Sequence, residues 1–199
     1  MKIIGLCGGS GSGKGAVCQI FQENGILTID TDAVYRDLTS KPGKLLDALA
    51  REFGREIITE DKILNRKALA DIVFSSENAS LKLKKLNTIA HKHILDETRA
   101  ILKYYSADGH KLGVVDAPVL FESGFDAECD FIVAVVAKKE TRLQRIMSRD
   151  AITREEAERR IASQMSDKDI ISKSDYVIYN DSHLISLKEQ VVRLIEQLK

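Results

Sequence analysis

Ile3-Ile4-Gly5-Leu6-Cys7-Gly8-Gly9-Ser10-Gly11-Ser12-Gly13-Lys14-Gly15-Ala16 is an apolar run, a glycine-rich turn and the opening of a helical pattern, in that order. A buried strand that leads through such a turn into a helix makes an anion site. The four glycines from Gly8 to Gly13 let the backbone turn tightly and point N–H groups inward without bulky side chains. A helix from Lys14 to about Glu23 brings its positive dipole end to the same place. The Lys14 ammonium suits the β and γ phosphates of a nucleoside triphosphate. Gly8, Gly9, Ser10, Gly11, Ser12, Gly13, Lys14, Gly15 and Ala16 are therefore the candidate nucleotide-contacting residues. The Walker A pattern continues with Ser or Thr, whose hydroxyl ligates Mg²⁺. Here Gly15 and Ala16 follow the lysine, and neither offers a hydroxyl.

Composition bounds the rest. At 199 residues the chain suits one domain with insertions, large enough to bury a core without disulfides. Its 30 basic and 30 acidic residues cancel, which excludes a broad positive field for nucleic acid or anionic membrane. No apolar run approaches the roughly 20 residues of a membrane span, and the N-terminus enters the strand directly, without a signal-peptide pattern. A cytoplasmic protein, expected to be a monomer, follows. Cys7, Cys18 and Cys129 lack disulfide or zinc spacing and read as small apolar core residues in a reducing compartment.

Apolar runs rich in Ile, Val and Leu at 2–7, 27–30, 112–116, 131–136 and 176–179 alternate with helical patterns at 14–24, 66–74, 78–105, 139–150, 153–165 and 183–198. This is the reading of a mainly parallel five-stranded sheet covered on both faces, an α/β three-layer fold of the P-loop type. Gly25 stops the first helix, and Thr153 with Glu156 forms a capping-box pattern. About eighty almost wholly helical residues separate the second and third strands, too many for one crossover. The organisation expected is a core of about 1–31, 110–138 and 175–199, an insertion of about 32–109 able to carry a second substrate, and a lid of about 139–174. The lid assignment rests on the arginines of 139–165, namely Arg142, Arg145, Arg149, Arg154, Arg159 and Arg160.

Phosphoryl transfer needs positioning, charge neutralisation and a group to orient or deprotonate the attacking oxygen. Asp30 and Asp32 follow the second apolar run, at the strand end where open parallel sheets bind ligands. Asp32 is the candidate general base, with a second role near Mg²⁺; the bland alternative is an N-cap for a helix starting at Ala33. Asp116 ends Leu112-Gly113-Val114-Val115 in the manner of a Walker B element and is a candidate metal or metal-water contact. Glu122, in the loop after it, faces the site or ends a turn. His91 and His93, two apart on a helix, lie on different faces, which argues against a shared metal.

Taken together, the chain resembles the dephospho-coenzyme A kinase family nearly end to end. The resemblance is carried by the glycine loop, by Asp30-Thr31-Asp32 with Arg36, by Leu64-Asn65-Arg66-Lys67-Ala68-Leu69 and by Leu86-Asn87 with His91. It continues in Asp116-Ala117-Pro118-Val119-Leu120-Phe121-Glu122, Arg145, Arg149-Asp150, Arg160-Ile161-Ala162-Ser163-Gln164 and Asp175-Tyr176-Val177-Ile178-Tyr179-Asn180. It implies transfer of the ATP γ-phosphate to the ribose 3′-hydroxyl of dephospho-coenzyme A, with Mg²⁺, as the last step of coenzyme A synthesis. It also implies catalytic roles for Asp32, Lys14, Arg145 and Arg149, acceptor contacts from Asp32, Arg36, Arg66 and His91, and an adenine contact at Asn180.

The chain departs from the family pattern at Gly15 and Ala16, at Lys92 in place of a usual proline, and at Ile170 in place of a common lysine. The first departure is central. The expectation is that phosphate oxygens, water and the carboxylates of Asp32 and Asp116 hold Mg²⁺, which retains several waters readily. The alternatives are another P-loop nucleoside or nucleotide kinase, or an ATP-binding family member whose catalysis is impaired by Gly15.

Overall fold

The computed structural model describes residues 1–74, 78–181 and 183–198. Residues 75–77 of the expected insertion, and Ser182 and Lys199 of the expected final core segment, lie outside the described residues. The order of elements is β1 (Lys2–Cys7), α1 (Lys14–Glu23), β2 (Leu27–Asp30), α2 (Thr31–Thr39), α3 (Lys44–Phe53), α4 (Arg66–Phe74), α5 (Ala79–Ala107) and β3 (Leu112–Asp116). There follow β4 (Phe131–Val136), α6 (Lys139–Asp150), α7 (Arg154–Ala162), α8 (Asp167–Ser172), β5 (Tyr176–Tyr179) and α9 (Leu184–Leu198). Each apolar run read from the sequence as a strand is one.

The strands form one sheet in the order β2-β3-β1-β4-β5, and every pairing is parallel. β1 is central, with Leu6 opposite Asp116 of β3 and Val133 of β4. One face is closed by α1 and α9: Val17, Ile20 and Phe21 meet Leu187, Val191, Leu194 and Ile195 over Ile4, Leu6, Val114, Val133 and Ile178. Burying both faces of a parallel sheet is why its strands read as unbroken apolar runs. On the other face α8 lies against β4, and a short 3-10 turn at Phe125–Glu128 lies against β1.

The helix ends follow local chemistry. After α1, Gly25 takes φ +71, Gly25 N–H donates to Gln22 O and Ile26 N–H to Phe21 O, the Schellman pattern that only a left-handed residue allows. The capping box at α7 is present, with Thr153 and Glu156 each bonding the other's backbone N–H. α7 stops at Ala162 rather than continuing to 165, and α8, which the sequence reading did not separate, is capped by Ser166 accepting from Asp169 N–H at 3.1 Å.

The chain divides into two compact units, residues 1–30 with 104–199, and residues 31–103. The second unit has its own core: Leu45, Leu46, Leu49 and Phe53 of α3 pack with Ile57, Leu64, Leu69 and Val73. The excursion from α6 to α8 belongs to the first unit; Leu143 and Ile146 of α6 pack on Ala157 of α7. Among the described residues no helix is long and apolar enough to cross a membrane.

Candidate active site

Gly8 follows the last residue of β1, and the turn it opens ends at Gly13, with α1 starting at Lys14. Gly11 and Gly13 have φ of +77 and +96, a region costly for side-chain-bearing residues. They are also crowded: a Cβ on Gly11 would stand 2.6 Å from the Arg142 carbonyl oxygen, and one on Gly13 would stand 2.0 Å from Asn180 Nδ2. Lys14 Nζ folds back to donate to Gly8 O at 2.8 Å, which holds the ammonium over the turn. Ser12 N–H closes the turn onto Gly9 O at 3.1 Å. Among the described residues no acceptor takes the N–H groups of Gly11, Gly13, Lys14 or Gly15. The Ser12 hydroxyl is likewise buried with no partner among them. Several donors converging beside one ammonium at a helix start make an anion nest.

The outside of the turn is held by side chains from distant parts of the chain. Arg145 of α6 donates to Gly11 O at 3.1 Å, to Ser12 O at 3.3 Å and to Asn180 O at 3.1 Å. Asn180, 6% exposed at the end of β5, donates to Ser12 O at 2.8 Å. Arg149, seven residues past Arg142, makes no bond to the loop; it forms a two-bond pair with Asp150, both at 2.8 Å. Asp150 also meets Arg160, and the two guanidiniums hold its carboxyl down at about 2. Thus Arg145 and Asn180 come together at the loop, while Arg149 stays apart on an exposed surface.

Asp116 sits at the carboxyl end of β3, opposite Leu6 and in register with Asp30 of β2. Its Oδ2 accepts from the Cys18 thiol at 3.7 Å. Cys18 is half-buried and packs against the core over the sheet, as expected from composition, and burial followed by the neighbouring Asp116 charge pushes its thiol up. A signal for this contact was available: Cys18 lies four residues after Lys14, on the same helix face. Cys7 is buried, only 3% exposed, as its strand position implied. Glu122 is exposed and lines a cavity of about 170 Å³ with Gly8, Gly9, Gln164 and Met165.

At Gly15 the surroundings change. The residue is exposed, and a Cβ there would meet nothing within 4 Å. Serine would therefore fit. Among the described residues no three His, Cys, Asp or Glu side chains converge as a ready-made metal cage.

In the second unit, Asp32 lies in the first turn of α2, which starts at Thr31 and not at Ala33, and Arg36 follows one turn later. Arg66 packs on the same helix: its Nη2 donates to Thr39 Oγ1 at 3.2 Å, and its guanidinium stands 5.6 Å from the centre of the Tyr35 ring. His91 is half-buried on α5.

The family model described as CoaE, dephospho-CoA kinase, matches residues 2–186. The curated dephospho-CoA kinase of Fusobacterium nucleatum subsp. nucleatum is 38% identical over 198 residues, covering 100% of this chain and 99% of that protein. That of Bacillus cereus is 35% identical over 195 residues, covering 98% and 96%. Among solved structures, TT1252 from Thermus thermophilus gives a TM-score of 0.80 at 27% identity, covering 98% of this chain and 96% of that one. The dephospho-CoA kinase from Campylobacter jejuni gives 0.73 at 23% identity, covering 100% and 98%, a likeness of fold. Agreement at this level from the first strand to the last helix is more than a shared nucleotide loop can produce, and the chain belongs to the dephospho-CoA kinase family.

Proposed function

We propose that this protein transfers the γ-phosphate of ATP to the ribose 3′-hydroxyl of dephospho-coenzyme A, giving coenzyme A and ADP, the final step of coenzyme A synthesis. The observation that carries the reading is the nest of N–H groups at Gly11, Gly13, Lys14 and Gly15, with the Lys14 ammonium folded over it. Four amides and a lysine meet the charge of a triphosphate without a bulky side chain among them. Asn180 and the residues around it are assigned to the adenine, and Arg145 to charge on the transferring phosphate once its bonds to the Gly11, Ser12 and Asn180 carbonyls open. Arg149 joins in that role only when its pair with Asp150 opens.

Asp32 is assigned to orient the 3′-hydroxyl and accept its proton, with Arg36, Arg66 and His91 binding the acceptor. The residues present fit Mg²⁺ held mainly by phosphate and water: the open space at Gly15 admits water, and Asp116 supplies a strand-end carboxylate. Asp32 is the second carboxylate assigned to it. Mg²⁺, when bound, spreads charge over the β and γ phosphates. The enzyme is proposed to work as a monomer in the cytoplasm.

An ADP-release assay with dephospho-coenzyme A, adenosine and nucleoside monophosphates tests the acceptor. Turnover is expected with dephospho-coenzyme A, and equal turnover of a monophosphate defeats the assignment in favour of a nucleotide kinase. Asp32→Asn is expected to lower kcat by about 10²-fold or more while ATP affinity is kept; unchanged kcat removes Asp32 from its role. The absence of a hydroxyl at Gly15 favours one other reading, an ATP-binding protein with impaired turnover. ATP binding with no acceptor-dependent ADP release would select it.

A further inference from the structure

Arg142 is a cation buried to 3% exposure beside the glycine loop. Such a charge is tolerated when its donors are matched. Its Nε donates to Ser10 O at 2.8 Å, Nη1 to Asp167 Oδ1 at 2.7 Å, and Nη2 reaches Gln164 Oε1 at 3.4 Å. Gln164 completes the set: its Oε1 accepts Ser10 N–H at 2.9 Å and its Nε2 donates to Ser10 Oγ at 3.1 Å. The carbonyl, amide and hydroxyl of Ser10 are thus all held by two side chains more than 130 residues away. Gly9 is part of the same fit, since a Cβ there would stand 2.1 Å from Arg142 Nη2.

A trans peptide sets each carbonyl opposite the N–H that follows it. Holding Ser10 O toward Arg142 therefore turns Gly11 N–H the other way, into the nest. The guanidinium that could have met a phosphate is directed instead at a loop carbonyl and at Asp167.

We propose that Arg142 and Gln164 are positioning residues for the triphosphate: through Ser10 they fix the Ser10–Gly11 peptide and aim a loop amide at the phosphates, and neither touches the nucleotide. The proposal rests on the loop being the ATP site and adds what shapes it. It also separates Arg142 from Arg145 and Arg149, for which catalytic roles were expected.

Gln164 is the residue to change, because it is half-buried and leucine fills a similar volume, whereas Arg142→Leu would strand Asp167. Gln164→Leu removes both bonds to Ser10. Gln164→Glu keeps the acceptor for Ser10 N–H and lets the Ser10 hydroxyl donate to the carboxylate. With a fluorescent ATP analogue and steady-state kinetics on the full chain, Gln164→Leu is expected to raise the Kd for the analogue and the KM for ATP about tenfold. It should leave kcat within about threefold and the KM for dephospho-coenzyme A unchanged, and Gln164→Glu should recover most of the affinity. Wild-type protein that binds the analogue while Gln164→Leu binds it equally overturns the proposal alone. So does Gln164→Glu as weak as Gln164→Leu, or a fall in kcat with the KM for ATP intact. Wild-type protein that fails to bind the analogue overturns the reading of the loop as well.

Discussion

Gly11 and Gly15 stand four residues apart in one loop-helix junction and are opposite cases. At Gly11, φ is +77 and a Cβ would press on the Arg142 backbone at 2.6 Å; at Gly15 a Cβ would meet nothing within 4 Å. The first glycine is demanded by the protein's own packing, because α6 occupies the space outside the turn. The second is demanded by nothing in the fold. A glycine-rich sequence therefore mixes two kinds of residue: those that let the backbone lie against its supports, and one that merely leaves a side chain out. The lost hydroxyl at Gly15 is a change in chemistry and not in architecture.

The comparison breaks most readily at Gly11. Gly11→Ala adds the left-handed penalty of about 1–2 kcal/mol to overpacking of about 1–3 kcal/mol. The expected outcome is a kcat/KM for ATP lower by about 10²-fold and a Tm lower by roughly 5–10 °C. Wild-type values would mean that the support by α6 is dispensable. Gly15→Ser is expected to be tolerated, with a Tm equal or about 1–2 °C higher, since glycine weakens a helix by about 0.5–1 kcal/mol. Its Mg²⁺ titration of activity should shift to lower concentration by about threefold, a modest estimate because Mg²⁺ draws most of its ligands from phosphate and water. No shift would mean that this position is irrelevant to the metal.

The smallest effect belongs to the excursion's exposed arginines, which contrast with buried Arg142. Asp150 has its carboxyl held down at about 2 by Arg149 and Arg160, against an ordinary value of about 3.9 in an unfolded chain. A lowered folded value stabilises above about pH 4 and is lost as pH falls towards 2. Asp150→Asn should therefore lower the Tm only slightly, by about a degree, between pH 5 and 7, and the two melting curves should converge near pH 2. A difference that grows on acidification would contradict the pairing.

Much of this was legible along the chain. The strands announce themselves because burial on both faces leaves no polar alternation, and Gly25, Thr153 and Glu156 mark helix ends by purely local bonds. The glycine loop reads as an anion site for the same reason. What holds the loop from outside was not legible, since Ser10 and Gln164 lie 154 residues apart and no local pattern records their contact. Nor could spacing divide the arginines. Arg142, Arg145 and Arg149 share a helical repeat, yet the side chain of the first is 4% exposed and that of the last 62%. Composition placed Cys18 against the core, where it packs, but did not record its contact with a carboxylate 98 residues on.

The central place of β1 also bears on how the protein is made. A ribosome releases β1 and the whole glycine turn well before their neighbours β3 and β4, which follow only at Leu112–Asp116 and Phe131–Val136. Arg142, Gln164 and Asn180 come later still. Contacts of such long sequence separation form slowly and late. A nascent chain thus carries every residue of the nucleotide loop while the supports that shape it are still to be added. The turn has its full set of outside supports only once Asn180 has been added.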